Sequence, residues 1–346
     1  MRKLMILAVL LSLLAIPVHA MDLEPPDVPS YAEPFMPREP QNLQEGIREI
    51  IVRATEQLRP DLKEAAEVCI SMTAVVIVMT LMGALPGNSG QTRELVGSLS
   101  VSSILLHASG SMINLAADTV YQLSQYGKLL IPVLTAALAA QGGINASTTI
   151  YTGTAMFDAV LSSAVSHILI PMLYIYLSLA IAGSALRDER LRKIRDAMKW
   201  LMNWTLKIIL YVFTGYITVT GVISGVTDAS ALKAAKLTIS GMVPVVGGIL
   251  SDASEAILVS AGMVKNAVGL YGLFAVLAIW LGPFLKIGAH FMIFRLTELF
   301  CGFFCSKNMS DLIRDFANAF GLMLAMIGSV CLMLMISLIC FMKGVG

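Results

Sequence analysis

Of the 346 residues in this chain, 280 share only 19 charged side chains. The other 28 charges fall into three short clusters: 15 in residues 22–64, nine in 187–199 and four in 306–315. So few charges cannot coat a water-exposed surface. Soluble domains carry roughly 25% charged residues, and this chain carries 14%. The uncharged remainder must meet lipid or protein, in keeping with a mean hydropathy of +0.78. This distribution excludes a soluble enzyme. It also excludes a nucleic-acid binder, because net charge is +1 and no basic stripe is present. The chain reads as an all-α polytopic membrane protein.

Arg2 and Lys3 precede an apolar run from Leu4 to Ile16, followed by Pro17, Val18, His19 and Ala20. That order predicts a signal peptide cut after Ala20. A first membrane anchor is the competing reading, but thirteen apolar residues fall short of the ~20 needed to span. Three regions are expected: a signal peptide at 1–20, an extracytoplasmic arm at 21–64 and a multi-spanning domain at 65–346. The arm holds six prolines between Pro25 and Pro40, which favour extended chain over a packed core. After it, Leu43, Ile47, Ile50, Ile51, Ala54 and Leu58 recur at helical spacing. This amphipathic helix either lies on the membrane or docks on a partner.

Seven apolar stretches are long enough to cross: Ala65–Leu85, Leu95–Ala117, Met156–Ala182, Trp200–Ile223, Ala267–Leu285, Ile287–Phe304 and Ala319–Phe341. Cytoplasmic loops collect Lys and Arg. Residues 187–199, with six basic and three acidic side chains, therefore belong in the cytoplasm, and Lys286 and Lys343 agree. An outside N-terminus followed by seven crossings puts the C-terminus in the cytoplasm. Two shorter stretches are left over. Leu129–Ala140 contains Pro132 and ends at Gly142 and Gly143, and Leu237–Leu250 contains Pro244 together with Gly247 and Gly248. At about a dozen residues each, they are expected to be re-entrant or interfacial. Each begins at a lysine (Lys128, Lys236) and reaches an Ala-Ser pair (Ala146 and Ser147, Ala253 and Ser254). The likeness reads either as a parallel repeat or as the ordinary use of Pro and Gly in membrane segments.

No Walker A loop, HExxH, GxSxG or Rossmann fingerprint occurs. His107, His167 and His290 fall in different stretches without ligand spacing, so no catalytic, cofactor-binding or metal residue is assigned. The five cysteines lie in or beside apolar runs and read as buried thiols. The ionisable pair in the sixth stretch is Arg295 and Glu298, three residues apart on one helical face. Each costs about 2.5–3.5 kcal/mol near a bilayer centre, while each Leu, Ile or Phe returns only about 0.3–0.6 kcal/mol. The two must face protein or a wet interior, either as an ion pair holding helices together or in a conduction or coupling role. The second stretch carries Ser98, Ser100, Ser102, Ser103, Ser109 and Ser111, which suit tight helix packing or a hydrophilic pore wall.

The run KLTISGMVPVVGG from Lys236 to Gly248, continuing through Ser251, Asp252 and Ala253 to Lys265, Asn266, Ala267, Val268 and Gly269, resembles the stage III sporulation protein AE family of endospore-forming bacteria. Ile131, Pro132 and Val133 up to Gly142 and Gly143, the basic 187–199 segment and the 200–221 stretch are similar too, and the resemblance covers most of 45–342. It implies a membrane subunit of the mother cell–forespore channel complex, made in the mother cell and placed in its membrane around the forespore. Implied partners are the other membrane proteins of the stage III sporulation A operon, a secretion-type ATPase, a ring-forming component and a forespore channel partner across the intermembrane space. The implied role is forespore maintenance and late forespore gene expression, with no enzyme activity. A secondary transporter for a small solute, gated by the two Pro/Gly elements, is the reading from another class. A scaffold that conducts nothing is the third.

Overall fold

The computed structural model describes residues 24–38, 42–83, 90–242, 247–304 and 306–343. Regular structure among them is helical. After a 3-10 turn at Glu33–Phe35 come α1 (Leu43–Gly83), α2 (Gly90–Ala140) and α3 (Ile144–Ala164). A π-helical turn at Val165–Leu169 leads into α4 (Ile170–Leu186), followed by α5 (Glu189–Met242), α6 (Gly247–Phe304) and α7 (Lys307–Lys343). The π turn has a local cause. Pro171 has no N–H for the carbonyl one turn back, and an extra residue in the turn absorbs the mismatch. Among the described residues, five runs are long and apolar enough to cross a membrane: Leu43–Met82, Leu95–Ala140, Ile144–Leu186, Gly262–Phe303 and Lys307–Lys343. The protein is an integral membrane protein.

Successive long helices run antiparallel. Ser124 of α2 meets Asp158 of α3, Phe157 of α3 meets Phe213 of α5, and Arg295 of α6 meets Asn318 of α7. The central member is α7, which packs on α2, α3, α4, α5 and α6. Leu312, Phe316, Phe320, Met323, Ile327, Val330, Leu334 and Phe341 recur along it at helical spacing, and all are buried. Lipid tails are as apolar as these side chains, so close van der Waals contact between helices holds the centre together rather than escape from water.

Four expectations are corrected here. The stretches 267–285 and 287–304 do not cross separately, because α6 runs unbroken through Lys286. That lysine does not mark a loop. Its Nζ bonds Glu64 at 2.8 Å and lies 3.6 Å from Asp61, both on α1, and this pairing lets the charge stay within a helix. The amphipathic segment 43–58 and residues 65–83 of the next stretch are likewise one helix, α1, which passes through Pro60. Its partner is the protein's own α6, where the Phe274 ring sits against Gly46. Third, 129–140 is not re-entrant. It forms the last three turns of α2, with Pro132 inside the helix. Fourth, the proline-rich arm is packed rather than free. Val28, Ala32 and Phe35 are buried, Phe35 lies against Gly282 of α6, and Arg53 of α1 donates to the carbonyls of Pro34 and Met36. Tyr31 stays partly exposed near Asp118 of α2, and partial desolvation together with that carboxylate pushes its phenol up to about 12.

The continuity of α6 removes one of the expected crossings. Met342 near the end of α7 lies beside Gly269, and Gly46 near the start of α1 lies beside Phe274, so both ends of the helical bundle's chain emerge at one end. The expected cytoplasmic C-terminus depended on that extra crossing. The stretch 200–223 lies within α5 but is not among the five apolar runs, and residues 1–20, with the signal-peptide expectation, lie outside the described residues.

Candidate functional site

The densest polar cluster lies at the opposite end of the bundle, where α4 turns into α5 and α6 into α7. Arg187 adopts a left-handed conformation (φ 58°) that ends α4. Asp188 then caps α5, its Oδ1 accepting from the Arg190 backbone N–H at 2.7 Å. This tight turn aims the first face of α5 at the start of α7. Arg192 and Arg195 project from α5, and Asp311 and Asp315 from α7, spacings that put each pair on one helical face. Arg195 pairs with Asp315, both side chains almost fully enclosed, and also bonds Asp196 through Nη2 at 2.9 Å. Arg192 lies 3.3 Å from Asp311 and donates to the Asn308 side chain. Arg314 reaches Asp311 at 2.6 Å, and Ser184 of α4 donates to the Asn308 carbonyl at 3.2 Å.

Arg295 and Glu298 join this cluster from α6. Arg295 Nη1 bonds Glu298 Oε2 at 3.0 Å and Nη2 bonds Asn318 Oδ1 of α7 at 2.7 Å, with the guanidinium 5.4 Å from the Phe291 ring centre. The Tyr176 hydroxyl of α4 lies 3.5 Å from Asp315 Oδ1. Polar contacts thus link α4, α5 and α7, and α6 joins α7 beside them through Arg295 and Asn318. Lys199, half-buried at its edge, has its ammonium held below the usual lysine range, first by burial and then by the Arg295 guanidinium. The network contains neither a nucleophile beside a base nor an oxyanion cradle. What it can do is clamp four helix ends in register and hold basic charge at one face.

Of the residues singled out from sequence, Arg295 and Glu298 enter this site and the others do not. Gly142, with φ 95°, closes α2: its N–H bonds the Ala139 carbonyl at 2.9 Å and the Gly143 N–H bonds the Leu138 carbonyl at 3.0 Å. The chain turns back there, at the end of the bundle remote from the charge network. Pro132 lies nearly three turns earlier inside α2. Gly247 and Gly248 open α6, so the second Gly-Gly begins a helix where the first forms a turn, and Pro244 lies outside the described residues. Ser98, Ser100, Ser102 and Ser111 bond carbonyls of their own helix, an arrangement that suits packing. His290 is buried and stacked on Phe320, while His107 and His167 are exposed. Among the described residues, no three His, Cys, Asp or Glu side chains converge as a metal site would require. Sequence reasoning missed Arg195, Asp315 and Tyr176. The available signal was the i, i+3 basic pair in one charge cluster and the i, i+4 acidic pair in another.

The profile of the family described as stage III sporulation protein AE matches residues 38–344. The chain belongs to that family. The stage III sporulation protein AE of Bacillus subtilis (strain 168) is 24% identical over 185 residues, covering 54% of this chain and 46% of the relative. The matched chain thus spans about half the length of that curated relative. No solved structure matches. A stage III sporulation role follows from membership, and the family is one of sporulation proteins rather than a known enzyme family.

Proposed function

We propose that this sporulation protein is a non-enzymatic platform subunit of the mother cell–forespore channel complex, seated in the mother-cell membrane around the forespore. Its role is to anchor the other stage III sporulation A-operon proteins, and through them to serve forespore maintenance and late forespore gene expression. The observation that carries this reading is α7. It packs on five helical segments with large buried side chains, as a scaffold requires and as a transporter with its own central path does not. The charge network clamps the end bearing the basic 187–199 segment, and the excess of Arg and Lys assigns that end to the cytoplasm. Arg190 and Lys193 remain exposed there, offering basic charge to a secretion-type ATPase. The docked arm and both ends of the bundle's chain then face the intermembrane space, where a ring-forming component and a forespore partner would meet them. Residues 1–20 are assigned to a signal peptide on the same reading.

Capture tests this. The full chain in nanodiscs should retain the purified ATPase and ring-forming component, and charge reversal at Arg190 and Lys193 should release the ATPase alone. Loss of neither partner on reversal, or capture of neither by the unaltered chain, would overturn the platform reading.

A further inference from the structure

Away from the charge network, α2, α3 and α7 meet at four buried polar side chains. Asp158 of α3 is 3% exposed, and its Oδ2 accepts from Ser124 Oγ of α2 at 2.6 Å. One turn earlier on α3, Thr154 donates to Ser337 of α7 at 2.8 Å, and Ser337 donates to the Met333 carbonyl at 3.0 Å. The second carboxyl oxygen of Asp158, Oδ1, is buried and accepts nothing among the described residues. Three elements pack against α3 at this level. From α2, Lys128 acts on Asp158 across space but is exposed and makes no ion pair with it. From α5, Tyr216 directs its hydroxyl to the Thr149 carbonyl at 3.5 Å. From α7 comes Ser337, with Cys340 and Lys343 the next titratable groups along that helix.

A carboxylate charge enclosed by helices, with one oxygen bonded and the other empty, is among the costliest groups a membrane protein can hold, and such groups mark ion or proton sites. We propose that Asp158 is a reversible proton-binding site inside the membrane, and that the α2–α3–α7 junction is packed around its neutral form. A single proton is the occupant this site suits. The hydroxyl protons nearby go from Ser124 to Asp158, from Thr154 to Ser337 and from Ser337 to the Met333 carbonyl, and among the described residues no second or third His, Cys, Asp or Glu joins Asp158 as a divalent cation site would use. Loss of the proton would leave a charge beside Ser124 and draw Lys128 or water inward, loosening α2 from α3. The inference stands whether the chain acts as a platform or not.

Infrared spectroscopy of the full chain in nanodiscs reads the carboxyl directly. At neutral pH the spectrum should contain the carbonyl stretch of a neutral, weakly bonded carboxylic acid. That band should shift in deuterium oxide, vanish on raising pH, and be missing from Asp158→Asn. If Asp158→Asn does not fold, Asp158→Glu keeps the acid and should move the band instead. An ionised carboxylate signal at neutral pH, or a neutral band untouched by either substitution, would overturn the proposal. Loss of the band on adding sodium chloride, but not choline chloride, would overturn the proton assignment in favour of a sodium ion.

Discussion

Arg195 and Asp315 form the most enclosed ion pair in the charge network, with side chains only 7% and 3% exposed, so breaking it from either side should have unequal consequences. Replacing Arg195 with Met leaves Asp315 buried with only the Tyr176 hydroxyl, 3.5 Å away, as a direct partner. Stranding a buried charge in this way costs about 3–5 kcal/mol. Replacing Asp315 with Asn is milder, because Arg195 keeps Asp196, whose side chain is 67% exposed and hydrated. What is lost there is the charged character of one hydrogen bond, about 1.5–3 kcal/mol. The double substitution should cost less than the sum of the two, since neither charge is then left alone. Denaturant titration of the chain in detergent micelles, followed by tryptophan fluorescence, gives all three values. If Asp315→Asn destabilises more than Arg195→Met, or if the two effects add, the pair is not the enclosed contact described here.

Glu298→Ala should cost about 1.5–3 kcal/mol and no more, because Arg295 retains Asn318 and the Phe291 face. The double substitution with Arg295→Ala should fall short of additivity in the same titration. Gly142→Ala should destabilise by about 1–2 kcal/mol, because φ 95° is disfavoured for a residue with a β-carbon, and Gly142→Asn, which tolerates this region better, should recover part of that loss. Cysteine labelling in intact cells should find a substitution at Lys193 on the cytoplasmic side and one at Lys343 on the opposite side. Both reacting from the same side would restore the seven-crossing topology.

Much of the architecture was legible because composition and periodicity report burial directly. Charge scarcity marked the membrane, and 3.6-residue spacing marked the helices. The errors share one physical origin. A lysine inside an apolar run looks like a loop when its partners are 222 residues away, and nothing local to Lys286 reveals Glu64. Similarly, six prolines predict an extended arm unless Val28 and Phe35 have a surface to bury against, and that surface belongs to a distant helix. Asp158 escaped notice because a single aspartate near the end of an apolar stretch resembles an interfacial residue, and only the convergence of Ser124 from another helix encloses it.

The central proposal is that α7, packed on five helical segments and exposed along the face of Leu332 and Ile339, leaves no solute path through this bundle, so that the chain supports a channel complex without being a conduit for solutes itself. Proteoliposomes holding the purified chain alone, loaded with a graded series of small fluorescent solutes, measure this directly. The account predicts release no faster than from protein-free vesicles, for every solute and in both directions of loading. Saturable release that depends on the chain would contradict it and make the protein a transporter.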